Sequence, residues 1–173
     1  MDITIKIEDS GVQNLLRAIQ TRIRNMYPIM REISEIMRDE VEENFAQQGR
    51  PKWTPLKVST IRRREMEGHW PGKILQLHGH LAASISAKAT NTEAIVGTNV
   101  KYAAIHQFGG KTGPVTIKPK NKKALFWPGA EHPVKSVKHP GVAIPARPFL
   151  NIPESGMERI RMAMVKYITG GEK

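Results

Sequence analysis

Two apolar stripes at helical spacing, set back to back across one proline, constrain this chain more than any other feature. Val12, Leu15, Leu16, Ile19, Ile23 and Met26 recur at helical intervals, and Asp9 or Ser10 stands where an N-cap belongs. Ile29, Ile33, Ile36, Met37, Val41 and Phe45 carry the same period to about Gln47. Pro28 either stops the first helix or, as a first-turn residue, opens the second. The second helix fills its other face with Glu32, Glu35, Asp39, Glu40, Glu42 and Glu43, an acidic surface expected in solvent or against a basic neighbour. A last helix is expected from near Pro153 to Gly170, with Met157, Ile160, Met164, Tyr167 and Ile168 on one side.

Between these helices the pattern shortens. Gly49-Arg-Pro51 and Trp70-Pro-Gly72 break the chain, and Trp53 is expected to anchor a loop. Ser59 or Thr60 begins a short helix ending at Gly68, around which Arg62, Arg63 and Arg64 form a charged collar. A short helix is expected over 80–84 and strands over 85–89 and 94–97, with a turn at Asn91. Strands over 115–118 and 124–127 flank a lysine-rich turn at 120–123, and a polar loop follows to Gly141. Residues 1–7 alternate apolar and polar, the pattern of a strand and not of a signal peptide, and no run is long enough to span a membrane.

Counted together, these elements give an α+β fold. An antiparallel sheet of four to six strands packs with two long N-terminal helices and a C-terminal helix. The 173 residues suit one core, so residues 1–173 are expected to form a single domain with a mobile excursion at 111–141.

The stretch Tyr102-Ala-Ala-Ile-His-Gln-Phe-Gly-Gly110 reads as a buried helical plug, stopped by the positive φ that Gly109 permits. His106 within it is open to two readings: a catalytic base or ligand, or a packed histidine satisfied by backbone. Pro145 and Pro148 hold Arg147 in extended chain, where its fork suits a buried or intersubunit carboxylate.

Charge is distributed unevenly. Residues 1–50 carry 7 Lys and Arg against 9 Asp and Glu, residues 51–150 carry 16 against 4, and residues 151–173 carry 4 against 3. The basic middle points to phosphates or an acidic protein surface. Its cations are Arg62, Arg63, Arg64, Lys118, Lys120, Lys122, Lys123, Lys135 and Lys138, with Trp127 nearby. They suit sequence-independent phosphate contact, but no recognised reader motif accompanies them.

Catalytic signatures are thin. The chain has no cysteine, which excludes thiol chemistry, disulfides and thiolate metal sites. All three aspartates fall in the first 40 residues, and there is no Gly-x-Ser-x-Gly elbow. Gly110-Lys-Thr112 imitates the end of a phosphate loop, but Ile105 stands where the first glycine belongs and Gly113-Pro114 where a helix should begin. His78 and His80 would share a face in a strand, without a convincing third ligand.

An ordered series of motifs resembles one family. The series is Trp53-Thr-Pro-Leu56, Ile74-Leu-Gln76 with Gly79 and Leu81, Val96-Gly-Thr-Asn99, Tyr102 to Gly110 with His106, Gln107, Phe108 and Gly109, and Ile144-Pro-Ala-Arg-Pro-Phe-Leu150 with Pro148 and Phe149. It resembles the virion morphogenesis or tail-completion proteins of Mu-like and related contractile-tailed phages and prophages. The resemblance implies a non-enzymatic structural protein without a cofactor, similar in fold to neck and tail-terminator ring subunits. It implies a ring, commonly six-fold, through which DNA passes between head connector and tail tube. The expected location is the virion, or the host cytoplasm during assembly. The competing class is a basic nucleic-acid-binding protein or a nuclease centred on His106.

Overall fold

The computed structural model describes residues 9–127 and 131–171; the strand expected over 1–7 lies outside the described residues. In chain order the elements are α1 (Ser10–Arg24), α2 (Tyr27–Gln47), α3 (Val58–Met66), α4 (His80–Ala83), β1 (Ser86–Ala89), β2 (Ala94–Gly97), α5 (Ala103–Phe108), β3 (Gly110–Lys111), β4 (Val115–Ile117), β5 (Val137–His139), β6 (Ala143–Ile144) and α6 (Glu154–Thr169).

The class is α+β, but the expected sheet of four to six strands is not formed by the described residues. They make three separate two-stranded antiparallel ladders, β1 with β2, β3 with β6 and β4 with β5. The expected strand over 124–127 contributes only a lone bridge from Leu125 to Val134. A hairpin closing at 120–123 would set Lys118, Lys120, Lys122 and Lys123 against one another, and like charges across a ladder oppose pairing. The chain runs on instead, and β4 takes β5 as its partner.

The chain groups into two compact units, Met1–Val100 with Phe149–Lys173, and Lys101–Pro148. In the first, Asp9 rather than Ser10 caps α1, its Oδ1 accepting the Val12 N–H at 3.1 Å. The helix stops before Met26, and Pro28 opens α2. Asn91, in the turn between β1 and β2, accepts the Met26 and Tyr27 amides at 2.7 and 3.1 Å, capping α2 from outside. Thr90 Oγ1 shapes that turn by accepting the N–H groups of Thr92 and Glu93.

The core of this unit lies along α2. Ile29, Ile33, Ile36, Val41 and Phe45 are buried with Trp53, Ile74, Leu81 and Phe149. The Phe45 ring meets Trp53 edge-on at 5.8 Å and lies 5.3 Å from Phe149. At the end of α2 a Cβ on Gly49 would stand 2.4 Å from Trp53 Cδ1, so glycine lets the indole close over the helix terminus. Trp53 is thus the loop anchor its sequence setting suggests.

Three boundary or burial expectations change. α3 begins at Val58 with no side-chain cap, ahead of Ser59 and Thr60. No residue of α1 is buried, although its stripe is strongly apolar. In α6 Met157 is exposed and Gly156 is buried, so close to α2 that a Cβ there would lie 2.8 Å from Glu40 Cγ.

Candidate functional site

Glu40 and Asn44 lie on the buried side of α2, not on its acidic face. Asn44 Nδ2 donates to the carbonyls of Phe149 and Asn151 at 2.9 and 2.7 Å, and its Oδ1 accepts Arg50 Nε at 2.9 Å. Arg50 Nη2 reaches both the Glu40 carbonyl and Glu40 Oε2 at 2.7 Å, and Asn151 donates to the Arg50 carbonyl at 2.9 Å. Glu40 Oε1 accepts Arg159 Nη1 from α6 at 2.9 Å. A buried carboxylate and a buried amide are therefore matched with partners from three segments, which is what makes their burial tolerable. The solvated acidic face expected for α2 keeps Glu32, Asp39, Glu42 and Glu43 and loses Glu40.

The second unit joins the two halves of the aromatic-glycine motif. The Arg147 N–H donates to the His106 carbonyl at 2.7 Å, and β3 pairs with β6 in the register Gly110 with Ile144 and Lys111 with Ala143. Gly109, at φ 71° and ψ 177°, ends α5 as expected. A Cβ there would sit 2.7 Å from Ala146 N, so both conformation and space demand glycine. Gly110 and Lys111 are strand and Thr112 N–H donates to the Val142 carbonyl, so this stretch is not a phosphate cradle.

The buried plug is corrected. Only Ala103 of α5 is buried, Tyr102 is exposed, and Phe108 is 79% exposed. A spacing of three falls about 60° short of a full turn, so Tyr102 and Phe108 point about 120° apart and cannot share one core face. Gln107 is half-buried, as is Pro148.

His106 is half-buried, with the Tyr102 ring edge-on at 5.8 Å. Burial, and then the nearby Arg147 guanidinium, lower its pKa below the ordinary value and favour the neutral ring. Among the described residues its Nδ1 finds no hydrogen-bond partner, so the expected satisfaction of the ring by backbone does not extend to that atom. Arg147 itself is buried, one of the two settings its fork suits.

Lys118, Lys120, Lys122, Lys123, Lys135 and Lys138 are all exposed, gathered along the ribbon made by β4, β5 and the Leu125–Val134 bridge. Among the described residues no ion pair involves them. The span Lys101–Pro148 holds nine Lys and Arg against one carboxylate, Glu131. Val115, Ile117, Phe126 and Trp127 are exposed beside the lysines. β4 is exposed along its whole length, and a two-stranded ribbon open to water on both faces is marginal by itself.

The arginine collar is divided. Arg62 and Arg63 are exposed, and Arg63 Nε lies 3.8 Å from Glu67. Arg64 turns inward, buried, and donates to the Lys73 carbonyl at 3.1 Å. His78 and His80 are not in a strand; the His78 ring lies 5.5 Å from His69 and 6.1 Å from His80. Among the described residues no group of three His, Cys, Asp or Glu is arranged to hold a metal. Nor is any described helix long and apolar enough to cross a membrane.

The Glu40–Asn44–Arg50–Asn151 network was not anticipated from sequence. Its signal was present: Glu40 and Asn44 follow Ile33 and Met37 by seven residues each, on the apolar stripe, where a polar side chain needs a partner.

A two-unit α+β chain with a buried polar tie and a bare basic ribbon has the makings of an assembly component, and comparison with known proteins agrees. The chain belongs to the phage virion morphogenesis family, whose pattern it matches over residues 7–169. It is 36% identical over 149 residues to Mu-like prophage FluMu G protein 2 of Haemophilus influenzae, covering 84% of this chain and 83% of that one. It is 27% identical over 173 residues to the putative capsid assembly protein G of Escherichia phage Mu, covering 98% and 96%. No solved structure matches it significantly.

Proposed function

We propose that this virion morphogenesis protein is a non-enzymatic part of the tail-completion or head-tail joining step, acting in a ring through which double-stranded DNA passes. The ribbon of the second unit is its contact arm. It docks on the acidic outer face of α2 in a neighbouring subunit, where Glu32, Asp39, Glu42 and Glu43 are exposed. A head-to-tail contact between unlike surfaces is the kind that closes rings. Tail tube or terminator proteins and the head connector are the other expected partners, in the virion or in the host cytoplasm during assembly.

The observation that carries this reading is the exposed ribbon with six lysines that make no ion pair among the described residues and with exposed Val115, Ile117, Phe126 and Trp127. Such a surface gains both charge neutralisation and apolar burial on docking. Deleting residues 118–138 is expected to leave the first unit folded by circular dichroism and to abolish infectious particles in a complementation assay; a normal particle yield defeats the reading.

A second contact is favoured by the exposed Trp127 and Phe126 among lysines, a combination that suits stacking and phosphate binding. Passing DNA is the natural ligand. Such binding is sequence-independent and weakens steeply with salt, as titration of labelled DNA at two ionic strengths reads out.

A further inference from the structure

Among the described residues the apolar stripe of α1 is left largely uncovered, with only Ile19 of its four seam positions half-buried. Val12, Leu16 and Ile23 are 49%, 59% and 53% exposed, and the helix buries no residue. The cause is its roll. Ala18 and Arg22 are half-buried, and Arg22 Nη1 donates to the Ile168 carbonyl of α6 at 2.9 Å. Residues 12, 16, 19 and 23 each follow one of 11, 15, 18 and 22, so they lie about 100° round the helix from that line. At 15 residues the helix is of a length that is marginal in water without packing, yet its most apolar strip is outside.

Val12, Leu16, Ile19 and Ile23 are spaced by four, three and four residues, the seam of a two-helix coiled coil. We propose that this seam pairs, antiparallel, with the same seam of a second copy of the chain. Charge sets both occupant and direction. Asp9 is the carboxylate at the start of the helix, and Arg22 and Arg24 stand in its last turn. A parallel pair would gather the arginines of both copies at one end. An antiparallel pair sets each Asp9 beside the arginine end of the other helix and opposes the two macrodipoles favourably. In that register Val12 meets Ile23 of the other copy and Leu16 meets Ile19, giving four layers over the roughly 22 Å that such a helix spans. Beside the seam lie Gln13, Leu15, Gln20 and Arg22, so no like charges face each other across it.

This contact is isologous and closes at two copies, so it is distinct from the head-to-tail contact of a ring and stands independently of it. A two-helix seam of this size gives a weak dimer that ring assembly can coexist with or exchange.

The chain has no cysteine, so thiol cross-linking reads the contact directly. A mixture of full-length Leu16→Cys and Ile19→Cys proteins, treated with a short bismaleimide, is expected to form cross-linked dimer about ten-fold faster than either alone. Thr21→Cys, on the opposite face, is expected to form little. Sedimentation equilibrium of the wild type is expected to show the mass rising towards that of a dimer, and Leu16→Lys with Ile23→Lys to remain monomeric with unchanged helix content. Faster linking of Leu16→Cys to itself overturns the antiparallel pair. A wild type that stays monomeric, dimers that survive the double lysine variant, or anionic vesicles bound through the stripe with no dimer overturn the proposal outright.

Discussion

Glu40 shows how much of this fold rests on single side chains. Its carboxylate is buried and shared between Arg50 and Arg159, while Asn44 one turn on ties the Phe149 and Asn151 carbonyls to the same helix. Removing one member of a buried ion pair leaves the other uncompensated, so Glu40→Ala is expected to destabilise the first unit by about 3 kcal/mol. Arg159→Ala, at a half-exposed guanidinium, is expected to cost no more than about 1 kcal/mol. Urea denaturation of both variants checks the ranking. His106 supplies a pH dependence. Its pKa is lowered in the fold, so the unfolded chain takes up the proton first as pH falls. The stability it contributes is fully present above its unfolded value, about 6.5, and is lost as pH drops through the lower folded value. Thermal melts of the wild type and His106→Gln between pH 8 and pH 5 are expected to diverge, with the wild type losing more.

At the scale of elements, short pieces are held in place by their connections. α5 has only six residues, and Gly109 turns the chain from it into β3, which pairs with β6. Gly109→Ala meets both a φ/ψ region closed to side chains and the Ala146 backbone, so a loss of about 2–3 kcal/mol is expected, read as increased amide exchange in residues 103–111 and 143–147. α2 shows the opposite case, a long helix whose ends are fixed by distant residues. Asn91 caps its start from the β1–β2 turn, and Gln76 Nε2 donates to the Phe45 carbonyl near its end at 2.7 Å. Neither partner is close in sequence, so neither is visible from the helix's own residues.

For the whole molecule the deciding property is the separation of charge between units. The span Lys101–Pro148 is strongly basic, while the rest of the chain carries 18 Lys and Arg against 15 Asp and Glu and exposes Glu32, Asp39, Glu42 and Glu43 along α2. If the ribbon docks on that face, reversing Lys120, Lys122 and Lys123 to Glu is expected to reduce particle yield by at least ten-fold. Reversing Glu42 and Glu43 to Lys in the same chain is expected to restore part of it. Loss without any rescue in the complementation assay points away from this pairing.

Sequence periodicity alone determined the helices α1, α2 and α6, the β1–β2 hairpin, the glycine stop at Gly109 and the concentration of cations in the middle. These are set by spacing and by backbone preference, which neighbouring residues carry themselves. Only the tertiary structure decided that Glu40, Asn44 and Arg64 face inward, that Tyr102 and Phe108 face outward, that β4 pairs with β5, and that the described residues leave Val12, Leu16 and Ile23 of α1 exposed. Burial and strand pairing depend on which distant segment arrives at a given face, and that competition is settled by the energy of the assembled chain.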